Sequence, residues 1–115
     1  MTEFTLEERL RTGLTAAMKA RDPAATSAHR TALAALANAE AVPVPEHEQG
    51  GSRQVTGGLA ADVDRLVLTE ADRLEVLRAH VVDRQATIDE LRAHGQDAAA
   101  ADLDLELAAL LPYLP

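Results

Sequence analysis

Cysteine and tryptophan are absent from the 115 residues, and phenylalanine and tyrosine occur once each. Without a thiol the chain has no disulfide, thiolate zinc site, iron–sulfur ligand or cysteine nucleophile. With two aromatic rings it lacks the stacking platforms that single-stranded nucleic-acid binders use. Positive charge is also scarce: 11 lysines and arginines stand against 19 acids, a net charge of −8. Such a chain on average repels phosphate backbones and anionic lipid surfaces. No stretch approaches the roughly 18 uninterrupted apolar residues of a membrane span. Residues Met1 to Arg11 carry Glu3, Glu7 and Glu8, so they have neither the basic start nor the apolar run of a signal peptide. The expectation is a cytoplasmic protein with no membrane partner.

What is present suits one small folded domain. Hydrophobic residues make up 47% and charged residues 26%, a globular balance at a length that fits a single core. No run shows the β-branched alternation of a strand. Helical spacing recurs instead. Thr5 with Glu8 forms a capping box ahead of Leu6, Leu10, Leu14, Ala17 and Met18, which predicts a first helix over about residues 5–20. Asp22 as N-cap and Pro23 at the first helical position predict a second over about 23–41. Its apolar face is Ala25, Ala28, Ala32, Leu33, Leu36 and Ala39, small side chains that let helices approach closely.

The period breaks over about residues 42–58, where Val-Pro-Val-Pro and two Gly-Gly pairs occur. This predicts a long flexible loop between the second and third helices, with Leu59 to Leu68 a short helix after it. From Thr69, apolar residues at Leu74, Leu77, Val81, Ile88 and Leu91 mark a long helix closed by Gly95. Asp97 is read as the cap of a last helix, with Leu103, Leu107 and Leu110 as its seam, Leu111 beside it and Pro112 as its stop. The fold class is all-α, a bundle of about four helices.

The chemistry-bearing residues are sparse. No two of His29, His47, His80 and His94 stand at zinc-binding helical spacing. His29 lies at the edge of an apolar face and reads as a packed histidine, and His94 beside Gly95 suits a helix C-terminus. The acidic groupings, such as Asp102, Asp104 and Glu106, lack the Glu-x-x-His spacing of a di-iron bundle. Ser27 and Ser52 lack a nucleophile elbow, and Gly57-Gly58 lacks the lysine of a phosphate loop. The reading is no catalytic residue, no cofactor and no metal. An independent enzyme would need an unseen pocket joining His29 or His80 to acids.

Several short runs together resemble the YqeY family, which is related to the tail domain of the GatB subunit of glutamyl/aspartyl-tRNA amidotransferase. They are Ala17-Met18-Lys19-Ala20-Arg21-Asp22; Arg30 with Leu33-Ala34-Ala35 and Asn38-Ala39-Glu40; and Leu68-Thr69-Glu70-Ala71-Asp72. Arg84, Gly95, Asp97, Glu106 and the closing Tyr113-Leu114-Pro115 complete the set. The long helix reads Val82-Asp83-Arg84 where the family tends to carry a Lys-Gln-Arg type basic cluster. The expectation from the resemblance is a single YqeY-like domain over residues 1–115, without the family's second small helical domain.

The resemblance implies a non-catalytic interaction or adaptor module linked to tRNA-dependent transamidation, a carbon–nitrogen ligase chemistry with glutamine as amido donor. The alternative it offers is a tRNA-binding accessory of that enzyme. The polar matches Arg30, Asn38, Arg84 and Glu106 are expected to face one another across the bundle, as a register-fixing network or a binding site. Tyr113 is expected to pack with its hydroxyl at the surface. Any tRNA contact would fall to Arg9, Arg11, Lys19 and Arg21, with Arg30 beside them. The expected partner is an unidentified protein, and the chain is expected as a monomer or homodimer.

Overall fold

A computed structural model describes residues 3–41 and 67–115. The expected loop over about 42–58 and nearly all of the expected short helix at Leu59 to Leu68 lie outside the described residues. Those described form four helices and no strand: α1 (Leu6–Lys19), α2 (Pro23–Glu40), α3 (Glu70–Ala93) and α4 (Asp97–Leu110), followed by a 3₁₀ turn over Leu111–Tyr113.

The helix starts follow their caps. Thr5 Oγ1 accepts the Glu8 amide at 3.1 Å while Glu8 accepts the Thr5 amide at 2.9 Å. Thr69 and Asp72 make the same reciprocal pair at α3, and Asp22 Oδ1 accepts the Ala25 amide at α2. One cap is tertiary: the Leu6 amide donates to the Glu70 carboxylate, whose other oxygen takes Arg73 at 3.0 Å. The first residue of α3 thereby satisfies an orphan donor of α1.

Both tight turns are Schellman motifs. After α1, the Arg21 amide bonds Met18 O at 3.1 Å and the Asp22 amide bonds Ala17 O at 3.0 Å. After α3, Gly95 bonds Arg92 O at 3.0 Å and Gln96 bonds Leu91 O at 2.8 Å. The left-handed position is held by Gly95 at φ 76 in the second turn and by Arg21 at φ 57 in the first. Asp97 does not cap α4 as the sequence suggested. The turn ends so tightly that Gln96 takes the N-cap place, without a side-chain bond, and Asp97 becomes an acid in the first turn.

Helix α2 lies against α1, α4 and α3. Its alanines at 28 and 32 and Leu36 join Leu6, Leu10, Leu77 and Leu110 in the main core, which draws on all four helices. A second cluster of Ile88, Ala100 and Leu107, edged by Val81, Leu91 and Leu103, comes from α3 and α4 alone. Each fully buried leucine or isoleucine contributes about 1.5–3 kcal/mol of transfer free energy. Met18 departs from the expected stripe: it is half exposed, as is Leu111 beside the α4 seam. Met18 sits in the last turn of α1, just before the chain reverses into α2. Among the described residues, no helix is long and apolar enough to cross a membrane.

Candidate functional site

Three polar assemblies stand out. The first lies where α1, α2 and the 3₁₀ turn meet. His29, 5% exposed, is the only buried polar residue among those described. Its Nδ1 lies 2.6 Å from Ala25 O, and because a carbonyl only accepts, Nδ1 carries the hydrogen. Nε2 is therefore the acceptor in the neutral ring, and the Tyr113 hydroxyl donates to it at 2.7 Å. The rings meet edge to face at 5.5 Å, and the Arg9 guanidinium stands over the tyrosine ring at 5.4 Å. Gly13 completes the arrangement, since a Cβ there would collide with the Tyr113 hydroxyl and the His29 ring. The Tyr113 hydroxyl thus points inward, contrary to the surface position expected from sequence. Burial pushes the phenol above its ordinary pKa, against the opposing charge of Arg9. With both imidazole nitrogens occupied and the ring enclosed, this assembly locks the C-terminal turn onto the bundle.

The second assembly is the packed edge between α2 and α3. His80 Nε2 is 3.5 Å from Thr31 Oγ1, whose own hydrogen goes to Ala28 O at 3.0 Å. Burial and then Arg84 lower the His80 pKa, while Asp83 and Glu106 oppose them more weakly. Two of the four polar matches, Arg84 and Glu106, are thus brought to one neighbourhood around His80. Arg30 and Asn38 are exposed on α2. Among the described residues, no hydrogen bond or ion pair joins any two of the four.

The third assembly is a groove of about 770 Å³ at the α1–α2 turn, lined by Met18, Arg21, Asp22, Pro23, Thr26, Ser27, Arg30 and Thr31. Pro23, Thr26, Ser27, Arg30 and Thr31 recur at three- and four-residue steps on one face of α2, while Met18 and Arg21 come from the end of α1 and its turn. The Asp22 carboxylate is engaged in capping α2. The groove is therefore an apolar floor with hydroxyls along it and two guanidinium groups.

Of the expected basic residues, Arg21 and Arg30 line this groove and Lys19 is exposed. Arg11 pairs with Glu7 at 2.6 Å and Arg9 covers Tyr113. Among the described residues no group of three or more histidines and acids is arranged to hold a metal ion. Sequence reasoning missed the groove as a unit and missed Gly13. The φ of Arg21 leaves no mark in composition, and Gly13 lies in an unbroken helical pattern. No family model, curated protein or solved structure matches the chain.

Proposed function

We propose that the chain is a non-catalytic helical interaction module of the YqeY kind. It works in the cytoplasm by holding a protein partner connected with tRNA-dependent transamidation. One observation carries the reading: Met18, Arg21, Asp22 and Arg30, which belong to the runs that resemble the family, line the exposed groove instead of the core. Binding of purified glutamyl/aspartyl-tRNA amidotransferase to the protein, followed by anisotropy, tests it. Saturable binding that weakens in Arg30→Glu supports the module, and absence of binding overturns the link to transamidation.

A second reading, a tRNA-binding accessory, is favoured by Arg21 and Arg30 lining one groove, with Lys19 exposed in the sequence run that leads into it. Phosphate-driven affinity must fall steeply between about 50 mM and about 200 mM salt. Saturable, salt-sensitive binding of bulk tRNA raises the accessory above the adaptor, and no binding even at low salt removes it.

A further inference from the structure

Charge is segregated along this acidic chain. From Arg9 to Ala39 there are five cations, Arg9, Arg11, Lys19, Arg21 and Arg30, and one acid, Asp22. With the whole chain at −8, the remaining residues carry the opposite excess. Within the stretch, Arg11 is occupied by Glu7 and Arg9 by the tyrosine ring. Among the described residues, Lys19, Arg21 and Arg30 have no ion-pair partner. Two of these three, Arg21 and Arg30, line the groove.

Arg21 adds an independent observation. The left-handed C′ position of a Schellman turn is where glycine is most at ease and a Cβ is strained. This chain uses glycine at the equivalent place after α3 and arginine after α1, at φ 57. The arginine there brings a guanidinium to the groove wall that glycine could not supply.

We propose that the α1–α2 groove docks a short acidic segment of a partner protein, one apolar residue seated on Met18 and Pro23 and carboxylates on Arg21 and Arg30. This rests on the interaction-module reading and names the chemistry of its partner. Guanidinium groups match carboxylates in two-pronged geometry, the Thr26 and Ser27 hydroxyls supply further donors, and a flexible thioether adapts to varied apolar side chains. The volume suits a few side chains. A long polyanion fits less well. Its phosphates would extend past the groove into the field of an acidic protein, and neither Phe4 nor Tyr113 lines the groove to stack a base.

The test is a ¹⁵N NMR titration of the whole protein with three probes: a 12-residue peptide of glutamates with leucine at every fourth position, its glutamine counterpart, and a 12-nucleotide single-stranded RNA. The glutamate peptide is expected to shift amides from Met18 to Thr31, with the glutamine peptide weaker by about tenfold or more. Arg30→Ala and Arg21→Gly should each weaken the glutamate peptide. Arg21→Gly relieves the left-handed strain and should raise the thermal midpoint, so lost binding in that variant cannot be misfolding. Equal binding of the two peptides, shifts centred elsewhere, no shifts, or tighter seating of the RNA would each overturn the proposal. If the peptide seats here and the amidotransferase does not bind, the transamidation link falls and the acidic docking site stands. The reverse pattern removes the docking site alone.

Discussion

The two ends of the molecule are built differently. At one end α1, α2, the first half of α3, the end of α4 and the C-terminal turn enclose a core drawn from four helices. At the other, α3 and α4 continue as a pair around Ile88, Ala100 and Leu107, and among the described residues nothing from α1 or α2 joins that cluster. The longest helix is α3, whose 24 residues run about 36 Å, against about 27 Å for the 18 of α2 and about 21 Å for the 14 of α1. The four-helix end also holds the locked His29–Tyr113 pair and the groove. A rigid core supports a docking surface better than a two-helix hairpin does, because local opening is cheapest where few apolar contacts hold an element.

The largest effects should follow from breaking the four-helix end. Leu36→Ala removes a side chain that is 2% exposed and should lower the urea-unfolding free energy by about 2–5 kcal/mol. At the hairpin end Ile88→Val deletes a single methylene and should lose about 0.5–1.5 kcal/mol, the smaller loss following from the smaller deletion. Next comes the lock. Gly13→Ala forces a methyl into the Tyr113 hydroxyl and His29 and should cost about 1–3 kcal/mol. Removing the hydroxyl with Tyr113→Phe should shrink that penalty in a double-mutant cycle, although the His29 ring still obstructs the methyl.

The two Schellman turns give a smaller and opposite pair of effects. Gly95→Ala meets no atoms within 4 Å, so its loss of about 1 kcal/mol is backbone strain alone, and Arg21→Gly should gain about the same. Both are read from thermal midpoints. The smallest effect is electrostatic. The His80 pKa is lowered in the folded protein, so the unfolded chain takes up that proton first as pH falls below 6.5. The His80 contribution is therefore fully present above pH 6.5 and is lost below it. The difference in urea midpoint between pH 7.5 and pH 5.5 should shrink in His80→Gln, by a modest amount because the ring is partly solvated.

Much of the architecture is legible in the residues. The Thr5–Glu8 box, the Asp22-Pro23 restart, Thr69 at the start of α3 and Gly95 at its end are local signals, each set by hydrogen bonds within a few positions. The buried set of Leu6, Leu10, Ala28, Ala32, Leu36 and Leu77 follows from helical spacing. What spacing cannot show is how completely a position near a helix end is covered. Met18 continues the apolar stripe of α1 but lies in its last turn, where it is half exposed and lines the groove with residues of α2. The Tyr113 hydroxyl turns inward because its acceptor is 84 positions away, a pairing only the closed bundle creates. Arg30, Asn38, Arg84 and Glu106 lie on three helices whose relative rotation the sequence leaves open; the fold places Arg84 and Glu106 near His80 and leaves Arg30 and Asn38 exposed on α2.

Native-state hydrogen exchange tests the contrast between the ends most directly. Amides of α2 and of the first half of α3, around Leu77, should exchange only through global unfolding and share one free energy. Those around Ile88 and Ala100 should exchange earlier, through opening of the α3–α4 hairpin alone. Equal protection along α3, or a hairpin end more protected than α2, would contradict the division into a four-helix platform and a projecting pair.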